Sequence, residues 1–415
     1  MSETSPNATT IDPEFLSRLS NNPESRLAAI VAYFRQNRMP VELFEALKMQ
    51  SRLRLGMPMV PDPDEINRTG TGNDATRERE LEDGLLDACR QSGAMMIQDG
   101  RIMEGWMYLR PTGDLELTKR LLESIEITEE NYDDMVQVLL HEGVDLARGY
   151  RAVLEYQGTC NSITLFDQAI AMRPRHDRVA AATELLHHFY DELWSLVQDD
   201  FRSRGPKHLS GDAGHSDSIE AELAGSDLGK LICRHAWILG SGGYHLDTTH
   251  LSSTVRQATV LEKRSDLDLA LQLCEYGKRL PADFQYPGEE PFTDFYPAHL
   301  AYFGALLGRN IEPAIERFEK KAREVDVAVG GTGAIETYVD LLDRLGQPAE
   351  ALQAAIDLFP DDIPTQRVMP DLIAMANRAI DAGHHQIIER LETFLAGRGD
   401  LLGLAAISQI RSRVG

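Results

Sequence analysis

Apolar residues recur at three- and four-residue intervals along almost all of this chain, and runs alternating apolar with polar are nearly absent, which restricts the fold to packed amphipathic helices. A half-buried strand needs a period of two, and that period is missing. The class read from this pattern is all-α. Between Thr128 and Tyr156, Tyr132, Met135, Val136, Leu139, Leu140 and Val144 share one face, with Thr128 and Asn131 placed to cap its start. A second long helix is expected from about Asp177 to Phe201, with Val179, Leu185, Leu186, Phe189, Leu193 and Leu196 inward. Ser203-Arg204-Gly205-Pro206 reads as its stop.

At 415 residues the chain exceeds what one hydrophobic core serves, so several domains or an array of repeats is expected. Hydrophobic residues at 42% and charged residues at 26% belong to a folded chain rather than a disordered one. The 42 Lys and Arg against 66 Asp and Glu leave a formal net charge of −24, which repels phosphate and argues against general binding to nucleic acid or an anionic membrane. No stretch approaches a charge-free span of about 18 apolar residues, and the polar start MSETSPNATT has no secretory apolar region. Cys89, Cys160, Cys233 and Cys274 are scattered without a C-x-x-C pair, as in a reduced compartment. A cytoplasmic protein is the expectation.

Punctuating residues divide the chain into a flexible arm at 1–10, a helical pair over 11–55, a helical repeat region over 75–202, a flexible Gly-, Ser- and His-rich loop at 203–218, and further repeats over 219–415. The prolines and the Gly70-Thr71-Gly72 turn between Gly56 and Asp74 read as a linker separating the first pair from the main body. The mixture of proline and aromatics in PADFQYPGEEPFT, residues 281–293, reads as a packed loop, because rings left in water forfeit their burial energy.

Four segments, RSDLDLALQL, LGRNIEPAIERF, LGQPAEALQAAI and AGHHQIIERLETF, each read as a turn followed by a helix start. Anchored at Ser265, Gly308, Gly346 and Gly383, they are spaced by 43, 38 and 37 residues. Such a period marks stacked helical hairpins. The stretch GTGAIETYVDLLDRLGQPAEALQAAIDLFP, which closes on Pro360, resembles a tetratricopeptide repeat: Gly346 stands at the turn and the small Ala351 comes five residues later. The Gly383 unit has Ile388 at that place, the Gly308 unit reaches Ala314 one residue late, and Ile335 stands where the family has an early Trp. The resemblance covers about residues 264–400, with a fainter echo in GWMYLRPTGDLELTKRLLESI through Trp106, Leu109 and Gly113. It implies a right-handed α-α superhelix of stacked antiparallel helix pairs, a tetratricopeptide-like solenoid whose concave face takes a peptide, a partner protein or a small ligand.

Nine of the twelve histidines fall between His141 and His250. Asp247 is placed to cap a helix from Thr248 to about Lys263, which puts His250 at its third position. With His245 from the preceding loop, these three side chains would bind zinc or another divalent metal and activate a water. The plainer reading has Asp247 only capping and the histidines hydrogen-bonded in a buried loop. Glu184-Leu185-Leu186-His187, followed by His188 and Asp191, is one E-x-x-H motif, where a di-metal bundle takes two; otherwise it is a solvated helix face. Cys160 in GTCNSITL stands just before a helix start, where the dipole favours a thiolate. As a nucleophile it would need His141 or His187 as base. The loops GSGG at 240–243 and GGTG at 330–333 fit neither phosphate-binding glycine pattern. If the loop over 289–299 folds across the concave face, Asp294, Tyr296 and His299 join Tyr244 and His245 in a ligand groove; if not, it plugs the interior. Two functions are compatible with these residues: a helical-repeat binding or scaffold protein, or a metal-dependent enzyme on the same scaffold using His245, Asp247 and His250.

Overall fold

A computed structural model describes residues 13–61, 75–209, 216–240, 244–361 and 365–412. The described residues form helices throughout, with no strand among them, and none of these helices is long and apolar enough to cross a membrane. The chain divides into two compact units, Met1–Val153 and Leu154–Gly415. That division falls inside the stretch 75–202 read as one region, while the arm at 1–10 and the linker residues 62–74 lie outside the described residues.

The first unit contains α1 (Pro13–Ser17), α2 (Pro23–Gln36), α3 (Pro40–Arg54), α4 (Ala75–Gln98), α5 (Ile102–Leu109), α6 (Leu115–Glu123), α7 (Tyr132–Val136) and the start of α8 (Leu146–Leu165). Pro23 and Pro40 each open a helix, where the missing N–H has no intrahelical partner to lose. Leu27, Val31, Leu43, Ala46, Leu47, Ala88 and Met95 bring α2, α3 and α4 into one core. The first helical pair therefore does not stand apart from the rest of its unit, because α4 covers apolar surface of α3 that the pair cannot bury by itself. A second core joins Ile97, Trp106, Leu109, Leu122, Met135 and Leu139. The continuous helix expected over 128–156 is broken: α7 widens into a π-helical turn over Gln137–His141 and the chain reverses at Gly143, with φ +77°. The inward face survives the break, since Met135, Leu139, Leu140 and Val144 are all buried.

The second unit continues with α9 (Arg175–His208), α10 (Ser216–Ala224), α11 (Leu228–Arg234), α12 (Trp237–Gly240), α13 (Thr248–Gln257), α14 (Arg264–Gly277), α15 (Phe295–Leu306), α16 (Ile311–Glu324), α17 (Val327–Gly330), α18 (Gly333–Arg344), α19 (Pro348–Leu358), α20 (Thr365–Asp381), α21 (Ile387–Gly397) and α22 (Leu401–Arg411). The expected stop at 203–206 does not end α9, which carries Pro206 in its last turn. There the proline removes one N–H donor only, and Arg204 fastens the turn by pairing with Asp200 and donating to the Ile238 carbonyl at 2.8 Å. Residues 203–208 of the expected flexible loop are thus helical, and residues 210–215 lie outside the described ones. Helix α13 also stops earlier than expected, at Gln257, and a 3-10 turn over Ala258–Val260 comes next.

The repeated turns share one geometry. Gly308, Gly346 and Gly383 have φ of +84°, +79° and +89°. The amide after each reaches back five residues: Arg309 to Gly304 at 2.7 Å, Gln347 to Leu342 at 3.0 Å, His384 to Ala379 at 2.9 Å. This is the Schellman closure, which ends a helix on a left-handed residue and satisfies its last carbonyls. Ala314, Ala351 and Ile388, just past these turns, are all buried. Helices near one another in sequence pack together, α14 on α15, α16 on α18, α18 on α19, and α19 on both α20 and α21. The unit is an ordered run of helical hairpins compatible with a helical repeat.

Candidate functional site

Asp247 caps α13: its Oδ1 accepts the amides of Thr249 at 2.8 Å and His250 at 3.3 Å. His245, in the residues leading to that cap, is committed on both ring nitrogens. Its Nε2 lies 3.1 Å from Asp200 Oδ2 on α9, and its Nδ1 lies 2.8 Å from Tyr276 Oη on α14. A carboxylate accepts only, so Nε2 carries the proton and Nδ1 accepts from the tyrosine hydroxyl. The backbone N–H of His245 also donates to Tyr276 Oη, at 3.0 Å. Burial acts to raise the Asp200 pKa, but hydrogen bonds from Arg204 and His245 outweigh it and hold the carboxyl below its usual value. Burial pushes the Tyr276 phenol well above its usual value, keeping it a donor. Both imidazole nitrogens of His245 are thus occupied, by Asp200 and Tyr276. Among the described residues, no group of three or more His, Cys, Asp or Glu is arranged to hold a metal ion. Asp200, absent from the sequence-based candidates, is the partner that decides the role of His245; the only local sign of it was its i,i+4 spacing from Arg204.

The five residues expected to line one groove differ in their exposure. Tyr296 and His299 are each 1% exposed, in the interior of α15. The loop before α15 plugs rather than opens: Phe292 stacks on His299 with ring centroids 3.9 Å apart and meets Phe318 at 5.4 Å. This corrects the groove reading for Tyr296 and His299, because an aromatic loop gains more by filling the core than by facing water. His299 Nδ1 donates to the Phe295 carbonyl at 2.8 Å, and burial lowers its pKa to about 4. Asp294 is exposed and 3.4 Å from Arg317, and the half-exposed Tyr244 packs its ring 4.8 Å from Phe284.

The remaining candidates are also dispersed. His187 pairs with the buried Asp266 at 3.1 Å, so the E-x-x-H histidine is anchored across to α14. Cys160 is exposed, two residues past a kink at Gly158, where φ is +79°. His187, one of its two candidate bases, is therefore engaged elsewhere. A buried polar network that sequence spacing did not reveal joins α15 to α18. Tyr302 Oη donates to Asp340 at 2.6 Å, and Arg344 donates to Tyr302 Oη at 2.9 Å and to the Thr259 carbonyl at 2.6 Å. It ties the 3-10 turn after α13 to the later hairpins, a structural task.

A cleft of about 810 Å³ opens in this unit between α19 and α21. Tyr338 and Ala354 line it, His384 and His385 stand at its mouth on the Gly383 turn, and Arg390 reaches across it to Asp357 at 3.0 Å. Its charged groups of both signs and its aromatic wall suit a short peptide or a small polar molecule. None of these residues was among the sequence-based candidates, although the AGHHQ turn that supplies two of them was singled out as a repeat. Compared with known proteins, the chain matches no family model, no curated protein and no solved structure.

Proposed function

We propose that the protein is a helical-repeat binding protein whose C-terminal hairpins form a right-handed tetratricopeptide-like superhelix and hold a short peptide. The observation that carries this reading is the cleft between α19 and α21, built from two successive hairpins joined by the same Schellman closure. Repeats of this kind bury their apolar faces on their neighbours and leave the surface between them for recognition. Arg390, held by Asp357 and Gln353, is positioned before any ligand arrives. Panning a displayed peptide library on the full chain tests it. Selected peptides are expected to lose about tenfold or more in affinity on Arg390→Ala and His385→Ala, as central contacts do. Equal binding to both variants, or no selected peptide, would sink the reading.

A further inference from the structure

The first unit holds a cavity of a different chemistry. It opens between α2, α3 and α4, encloses about 320 Å³, and rests on the buried Val31 and Leu47 of their shared core. Above that floor its walls are polar and follow an order along α4. At one end Arg35 of α2 donates to Gln91 Oε1 at 2.5 Å. At the other, Gly84 lies so close to Ser51 that a Cβ would stand 2.5 Å from Oγ, and Arg54 folds back along α3 to donate to Gln50 Oε1 at 3.2 Å. Asp87 stands between these ends, accepting from Gln91 Nε2 at 2.7 Å. The helix from Gly84 to Gln91 rises about 10 Å.

Elsewhere in the chain arginines meet carboxylates, as Arg204 meets Asp200, Arg378 meets Asp343 and Arg390 meets Asp357. Arg35 and Arg54 do not. Among the described residues neither makes an ion pair, and each gives one N–H to a neutral amide out of the five that a guanidinium carries. Two guanidiniums and one carboxylate leave the pocket one positive charge in excess, within a chain of net charge −24. Its charges do not cancel, and their order of positive, negative, positive defines the complement. We infer that this pocket binds a free acidic α-amino acid, with its two carboxylates on Arg35 and Arg54 and its ammonium on Asp87. The carboxyl carbons of an extended glutamate lie about 5 Å apart, and a hydrogen bond of about 3 Å at each end brings the span to that of the pocket. The planar guanidinium matches a carboxylate through two parallel hydrogen bonds. A phosphate or a plain dicarboxylate would leave Asp87 facing an anion with nothing to offset it, which like-charge repulsion disfavours.

Equilibrium dialysis of radiolabelled L-glutamate against the full chain tests this, with unlabelled L-glutamate, L-glutamine and glutarate as competitors. Glutamate is expected to bind about tenfold or more tighter than glutamine, which lacks one carboxylate, or glutarate, which lacks the ammonium. Arg35→Gln and Arg54→Gln should each weaken glutamate about tenfold or more, because each removes a charge-assisted pair. Asp87→Asn keeps an acceptor for Gln91 and should abolish the preference for glutamate over glutarate. The three positions are solvent-exposed, and circular dichroism of each variant checks that the helices are retained. No retained glutamate, glutamine or glutarate competing as strongly as glutamate itself, binding untouched by both arginine substitutions, or a preference over glutarate that survives Asp87→Asn would each overturn the proposal.

Discussion

His299 shows how a single side chain in this protein is set by its surroundings. Its ring lies between Phe292 and Phe295 and is 1% exposed, so the fold holds it neutral with a pKa near 4 against an ordinary 6.5. The unfolded chain therefore binds a proton between those values that the folded chain refuses. The stabilisation is complete above about pH 6.5 and is lost as the pH falls toward 4, by about 3 kcal/mol in all. Urea unfolding at pH 7.5, 6 and 5 should show wild type losing more stability than His299→Leu over this range; parallel profiles would mean that the ring is not buried neutral. The His245 cluster makes a related point about what one residue discloses. That Asp247 would cap α13 was readable, because a cap acts on amides two and three residues away. That His245 answers to Asp200, 45 residues earlier, and to Tyr276, 31 residues later, was not, because no local spacing encodes which helix a loop will cross.

Two glycines of the second unit separate backbone strain from packing. Gly346 closes α18 at φ +79° with open space around the position of a Cβ, so Gly346→Ala should cost only the left-handed penalty, about 1 kcal/mol. Gly277 ends α14 directly against Tyr296 of α15, where a Cβ would lie 2.2 Å from Cε1 of a fully buried ring. Gly277→Ala should therefore cost more, about 3 kcal/mol, since neither ring nor helix can yield without opening the core. Denaturant midpoints of the two variants check the order, and equal losses would refute it. Helix existence followed from apolar spacing, and the left-handed turns followed from glycine before a polar helix start. Helix ends were less legible. Pro206 failed to stop α9 because Arg204 ties that turn to Asp200 and Ile238, and Gly143 broke an apolar face that periodicity alone reads as continuous.

For the whole molecule, the excess of 24 negative charges is a destabilising self-repulsion that surface ion pairs only partly relieve. Screening shortens from about 30 Å at 0.01 M salt to about 8 Å at 0.15 M, so the melting temperature should rise by a few degrees over that range. A flat or falling profile by scanning calorimetry would show that specific ion pairs outweigh the net charge. The sequence by itself determined the all-helical class, the acidic surface, the place of the recurrent turns and the small or apolar residues buried behind them. These rest on interactions within a few residues or on composition alone. Only the tertiary structure decided that Tyr296 and His299 fill the core rather than line a groove, that α4 joins the first hairpin, and that a cleft opens between α19 and α21. Those outcomes depend on which helix faces meet, a competition among distant apolar stripes that is resolved by burial and shape when the chain folds.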